Sequence, residues 1–205
     1  MKMSREVPVT AFQGGEGLLP AYQRLVREKV IPYQYQVLED KLEGVEKSHA
    51  LENLRLAAQK NRGEALSGEF YGMVFQDSDV AKWLEAAAYS LGQCPDPALE
   101  REVDSVVELL AQVQQEDGYL NSYFTVKEPE RKWTNLQEAH ELYCAGHLME
   151  AACAYYEDRE GPPFEDHGEK RRLHLPPFHG GVPPGLLRPP GGGAGAAAAV
   201  PGQRQ

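Results

Sequence analysis

The sequence predicts an all-α fold. Apolar residues recur at three- and four-residue spacing from Ala21 to Asp158, capping residues stand before most of those runs, and no convincing strand run with period two is present. With 205 residues, 41% hydrophobic and 25% charged, the composition is that of an ordinary globular protein.

The elements follow in order. Leu25, Val37 and Leu38 lie on a helix over 21–42 that Pro32 breaks or bends, because its ring removes one intrahelical bond. Ser48 caps a helix over 49–60, with Glu52 near the capping-box position. Asp77 or Ser78 is the expected N-cap of a helix from about Ser78 to Gln93, and Asp79 sits in its first turn at the positive dipole end. Val80, Leu84, Ala87 and Leu91 form its stripe. The loop Phe70 to Gln76 before it is apolar enough to be buried, which would put the two carboxylates at the edge of a cavity. Asp96 and Pro97 then supply an N-cap and an N1 proline for a helix carrying Leu99, Val103, Val106, Leu110 and Val113. Gln114 to Gly118 ends it, with Gly118 suited to a left-handed turn. Ser122–Lys127 reads as extended, and Thr134 as the cap of a last helix to about Asp158.

On that last helix His140, Cys144 and His147 fall at i, i+4 and i+7 and share one face, while Leu136, Leu142 and Met149 with the small Ala145, Ala152 and Cys153 supply an apolar side. A polar inner face suits a sugar, which is held by hydrogen bonds to imidazole and carboxamide and by stacking on aromatic rings. Zinc is a poor occupant of the same face: ligands on three successive turns spread over roughly 10 Å, too far for one tetrahedral ion. Asp77, Asp79 and Asp117 resemble a hydrolytic carboxylate set only in residue type, since two stand at a helix start and one in a turn.

The net charge of −10 argues against nucleic acid or an anionic membrane as partner. The first 17 residues hold no apolar signal core, no apolar run reaches about 18 residues, and the three cysteines include no CxxC pair; a cytoplasmic protein with reduced thiols is the expectation. From Gly161 the composition changes. These 45 residues hold nine of the 15 prolines and 10 of the 20 glycines, and carry +2, leaving −12 on residues 1–160. Such a tail is expected to be disordered, either as a natural linker or, the favoured reading, as the product of a shift of reading frame in a G+C-rich message. The expected division is a lead segment 1–20, a helical domain 21–160 and a tail 161–205.

Five stretches, VIPYQ at Val30–Gln34, KSHALENLRLAA at Lys47–Ala58, EFYGMVFQDSDVAKWLEAAAY at Glu69–Tyr89, QQEDGYL at Gln114–Leu120 and EAHELYCAGHLMEAACAY at Glu138–Tyr155, resemble in order and spacing the N-terminal part of glycoside hydrolase family 127. The resemblance implies an (α/α)6 barrel, of which about five to six helices are present, so an incomplete barrel. It also implies kinship with β-L-arabinofuranosidases and a carbohydrate substrate, an arabinofuranoside. His140 aligns with a histidine that contacts the arabinofuranose, and Gln76, Asp77, Asp79 and His147 are the further candidate sugar contacts.

The family mechanism implies a cysteine thiolate nucleophile held on zinc by a glutamate and further cysteines, within a CxxCC-like run. No run of this chain matches it, so no catalytic residue and no metal ligand is assigned, and the polypeptide is expected to be marginally stable and inactive on its own. The competing reading is a helical-repeat interaction module, with residues 98–120 and 138–158 as its repeats.

Overall fold

A computed structural model describes residues 15–160, with side chains as far as Tyr156. The expectations for the tail lie outside these residues, as does most of the lead segment. Every regular element among the described residues is helical. The first helix begins at Leu18, three residues before the expected boundary.

α1 (Leu18–Leu25) and α2 (Ile31–Leu38) are joined through a π-helical turn over Val26–Val30. Pro32 stands in the first turn of α2. Because proline lacks an N–H and its ring crowds the preceding carbonyls, the turn before it widens instead of the rod breaking. α1 buries nothing, and Leu25 is exposed. α2 buries Ile31, Tyr35 and Leu38; Tyr35 stacks on Trp83 at 4.8 Å, and the indole donates to the Ile31 carbonyl at 3.1 Å.

α3 (Ala50–Asn61) starts one residue later than expected: His49, left-handed at φ 54°, holds the cap position, and the Ser48 hydroxyl before it accepts from Ala50 N at 3.2 Å. Glu52 does not reach back to close a capping box and pairs with Arg55 instead. The next connection is pinned by a residue with no apolar credentials. Asn53 is fully buried, and its amide donates to Tyr71 O at 2.7 Å and accepts from Tyr71 N at 3.1 Å.

α4 (Asp77–Gln93) and α5 (Pro97–Val113) form an antiparallel hairpin across a short loop. α5 is as expected: Asp96 accepts from Ala98 N and Leu99 N, and all five predicted core residues are buried. Asn61 of α3 donates to the carbonyl of Val113 at 2.7 Å, satisfying an α5 end that would otherwise be an unpaired acceptor. Gly118 takes the predicted left-handed conformation at φ 84°.

Two expectations fail downstream. Ser122–Val126 is a short helix, α6, because Asn121 accepts from Phe124 N at 3.0 Å and so closes a helical turn on a segment whose residue types favour a strand. The last helix, α7 (Glu141–Glu160), starts seven residues after Thr134. The Thr134 hydroxyl donates to Arg131 O and caps nothing. α7 packs along α4, and its buried side is Cys144, Ala145, Leu148, Ala151, Ala154 and Tyr155; Leu142 and Met149, expected inside, are 48% and 44% exposed.

Candidate functional site

Side chains of α4 and α7 meet in register: Lys82 reaches Tyr143, and Glu85 reaches His147. The two helices therefore run parallel, with their N-termini together. The N-terminus of α6 joins them through Asp77. This carboxylate is 2% exposed and accepts from Ser122 N at 2.7 Å and from the Ser122 hydroxyl. Asp77 is thus neither the N-cap nor a cavity-edge group. Gln76 holds the cap position, no side chain caps α4, and Asp77 turns inward to tie α4 to α6. Burial pushes its carboxyl above the usual carboxylate range, and the two Ser122 donors pull it part of the way back.

The segment leading into α7 is strained. Trp133 and His140 both lie in the left-handed region, at φ 60° and 56°, where a residue with a Cβ costs about 1–2 kcal/mol. Glu141 holds both ends of it. Its buried carboxylate accepts from the Tyr119 hydroxyl at 2.6 Å and from Trp133 N at 2.8 Å, and burial raises its pKa against the pull of these donors and of Lys132. His140 is fixed on the outer side. Its Nδ1 lies 2.6 Å from the carbonyl of Glu138, and since a carbonyl only accepts, Nδ1 is the donor in this contact and Nε2 takes no part in it.

Around that imidazole stand Phe75 and Tyr143, with ring centres at 5.1 and 5.8 Å. The Tyr143 hydroxyl accepts from Lys82 at 2.6 Å, a contact that raises the lysine pKa. Partial burial raises the Asp79 carboxyl above its usual range, and Lys82 draws it only part of the way back. Asp79 accepts from the Gln76 amide at 3.3 Å, and Gln76 Oε1 accepts from Met73 N at 3.2 Å. Gly72 is required beneath it: φ is 99°, and a Cβ there would stand 2.7 Å from Gln76 Oε1. The aromatic loop is mostly exposed, not buried as expected; Phe70 alone of its aromatic residues is in the core, while Tyr71, Met73 and Phe75 face outward.

Of the five predicted contacts, then, Gln76, Asp79 and His140 share one rim with Phe75, Lys82 and Tyr143. Asp77 lies behind that rim in the core. His147 stands one turn further along α7, its ring against Tyr143 at 4.6 Å and its Nδ1 3.0 Å from Glu150. Sequence reasoning did not single out Tyr143, Lys82 or Glu141 as site-forming. The spacing Lys82-x-x-Glu85 and Tyr143-x-x-x-His147 marks facing rows only once the two helices are known to be parallel.

The cysteine–zinc centre implied by the resemblance does not fit these residues. Cys144 is buried, and desolvation pushes its thiol up to about 12, so it is not a ready thiolate. Cys94 is half-buried at the far end of α4, and Cys153 is exposed on α7. Among the described residues the group that could hold an ion contains no cysteine.

Helical hairpins whose alternate helices run parallel, with polar and aromatic side chains gathered at one set of N-termini, define a segment of an (α/α) barrel. The chain belongs to the GH127 β-L-arabinofuranosidase catalytic-domain family, whose model matches residues 17–160. It is 44% identical to a non-reducing end β-L-arabinofuranosidase of Bifidobacterium longum subsp. longum, over 63% of this chain and 21% of that protein. Among solved structures it is similar to Ara127N-Se, a GH127 β-L-arabinofuranosidase from Geobacillus stearothermophilus T6, with 58% identity and a TM-score of 0.64 over 68% of this chain and 21% of the other. It is also similar to the GH127 β-arabinofuranosidase BT3674, with 30% identity and a TM-score of 0.63 over 74% and 24% of the two chains. The chain thus spans about a fifth of the length of the relatives it matches. A single family match across residues 17–160 leaves no place for the repeat-module reading. No helix among the described residues is long and apolar enough to cross a membrane.

Proposed function

We propose that this chain forms the sugar-holding part of a β-L-arabinofuranosidase barrel, and that a terminal arabinofuranose is bound at the rim of Gln76, Asp79, His140 and Tyr143. The observation that carries the reading is His140. A strained backbone and the Nδ1 contact to the Glu138 carbonyl fix its imidazole beside two aromatic rings, which suits a sugar hydroxyl with a C–H face alongside. Asp79 and the Gln76 amide offer further acceptors and donors on the same rim. Asp77 acts on this rim from behind by fixing the N-termini of α4 and α6.

The bond-breaking step is not assigned to these residues. Burial pushes the Cys144 thiol up and away from the thiolate, and the buried Asp77 has both oxygens engaged by Ser122. The 205-residue polypeptide is therefore expected to bind without turning over. Saturation-transfer NMR with methyl β-L-arabinofuranoside should show contact to the sugar that His140→Ala abolishes and Tyr22→Ala leaves intact. Equal signals in the two variants would remove His140 from the site. Steady release of the aryl alcohol from an aryl β-L-arabinofuranoside by the purified chain would show that the nucleophile lies here after all.

A further inference from the structure

We propose that Glu85, His147 and Glu150 form a divalent transition-metal site that clamps α4 to α7. One ligand atom from each residue, the His147 nitrogen and two carboxylate oxygens, lies within 4.8 Å of the other two. Zinc–nitrogen and zinc–oxygen bonds of about 2.0–2.2 Å gather such a set with small side-chain rotations. Two of the ligands come from α7 at i and i+3, and the third from the helix packed against it, so the ion would join elements that no covalent bond joins.

The second observation concerns Nδ1 of His147. This atom is shut off from water and makes no hydrogen bond, although a carboxylate oxygen of Glu150 lies only 3.0 Å away. The two atoms thus lie in ion-pair range but without the alignment of a hydrogen bond. Two donor atoms close together without hydrogen-bond geometry are placed as two ligands of one cation are placed. The ring is also held in position, with Tyr143 edge-on at 4.6 Å. Glu85 is half-buried and Glu150 exposed, so one flank remains open for water as a fourth ligand.

The imidazole and two carboxylates suit a first-row divalent ion such as zinc or cobalt rather than magnesium, which prefers oxygen alone and keeps its water. This site is separate from the sugar rim and does not depend on its assignment.

Cobalt(II) and zinc are the probes. The whole chain, stripped with a chelator, is titrated with cobalt while its visible d–d absorption is followed, and its melting temperature is then measured against zinc and magnesium. Expected are one equivalent of cobalt, no thiolate charge-transfer band, and a melting temperature that rises with zinc but not with magnesium. His147→Gln and Glu85→Gln should each weaken cobalt binding by roughly tenfold or more. Glu150→Gln, at an exposed position where folding is safe, should do the same, with helical circular dichroism confirming the fold of each variant. No uptake of cobalt would overturn the proposal. A thiolate band would also overturn it, since the ion would then be on Cys94 or Cys153. Undiminished uptake by His147→Gln would do so as well, because the ion would be held elsewhere, for instance by His167, His174 or His179.

Discussion

α5 and α7 are both long helices packed into the same core, yet one is written plainly in its sequence and the other is not. In α5 the apolar residues at three-four spacing are the buried ones, from Leu99 to Val113. In α7 the large apolar residues Leu142 and Met149 face outward, and the buried side is built from Cys144, Leu148, Tyr155 and alanines. α4, which packs along α7, also buries small residues, Ala81, Ala87 and Ala88. Where a helix fills general core space, large side chains mark its inner face; where it lies along one partner, small residues do, and hydrophobic periodicity points the wrong way.

The difference can be broken by mutation, and the largest effect is expected in α5. Leu110→Ala should cost about 2–5 kcal/mol in a urea unfolding curve, since it leaves a cavity among residues that cannot collapse onto it. A loss below 1 kcal/mol would mean that the α5 stripe is not the stabilising face.

Next comes the polar end of the α4–α7 pair. Asp77→Ala leaves the Ser122 N–H and hydroxyl buried without their acceptor, and should cost about 1–3 kcal/mol. The pH dependence sharpens this. Burial raises the pKa of both Asp77 and Glu141 in the folded chain, so each contributes stability that is fully present below the unfolded carboxylate value and is lost as pH rises through the raised folded value. The native chain should therefore gain stability relative to Asp77→Asn as pH is lowered from neutral toward about 4, where unfolded carboxylates begin to protonate. A difference that is constant across that range would show that Asp77 titrates as an ordinary surface group.

The smallest effects lie at the helix ends and on the outer face. Asp96→Ala removes the cap of α5 and should cost about 1 kcal/mol. Met149→Ala should stay within about 0.5 kcal/mol, although Met149 is far larger than the alanines it would join. If thermal melts rank Met149→Ala above Asp96→Ala, the outer face of α7 is packed against something, and the contrast with α5 fails.

Particular residues show where legibility stopped. Ser48, Asp96 and Gly118 act as their types suggest, because a cap or a left-handed turn involves only backbone two or three residues away. Asp77 looked like the same kind of cap, and its acceptor groups went to Ser122 on another helix, 45 residues on. The strand-like Ser122–Val126 became helical on the strength of one Asn121 bond and of the room available beside α3. The rim is half visible in the sequence: Gln76, Asp79 and His140 are marked by residue type and resemblance, while Lys82 and Tyr143 join it through their contact across the α4–α7 pair and Glu141 supports it through Tyr119 and Trp133.

By itself the sequence determined the helical class, the family, and both ends of α5, since Asp96 and Gly118 act over a turn or less. The tertiary structure alone decided which face of α7 is inside, that α4 and α7 run parallel, and that His140 is held in a left-handed backbone beside Phe75 and Tyr143. Those features rest on contacts between residues far apart in the chain, such as Glu141 with Tyr119 and Lys82 with Tyr143, whose partners no local pattern names.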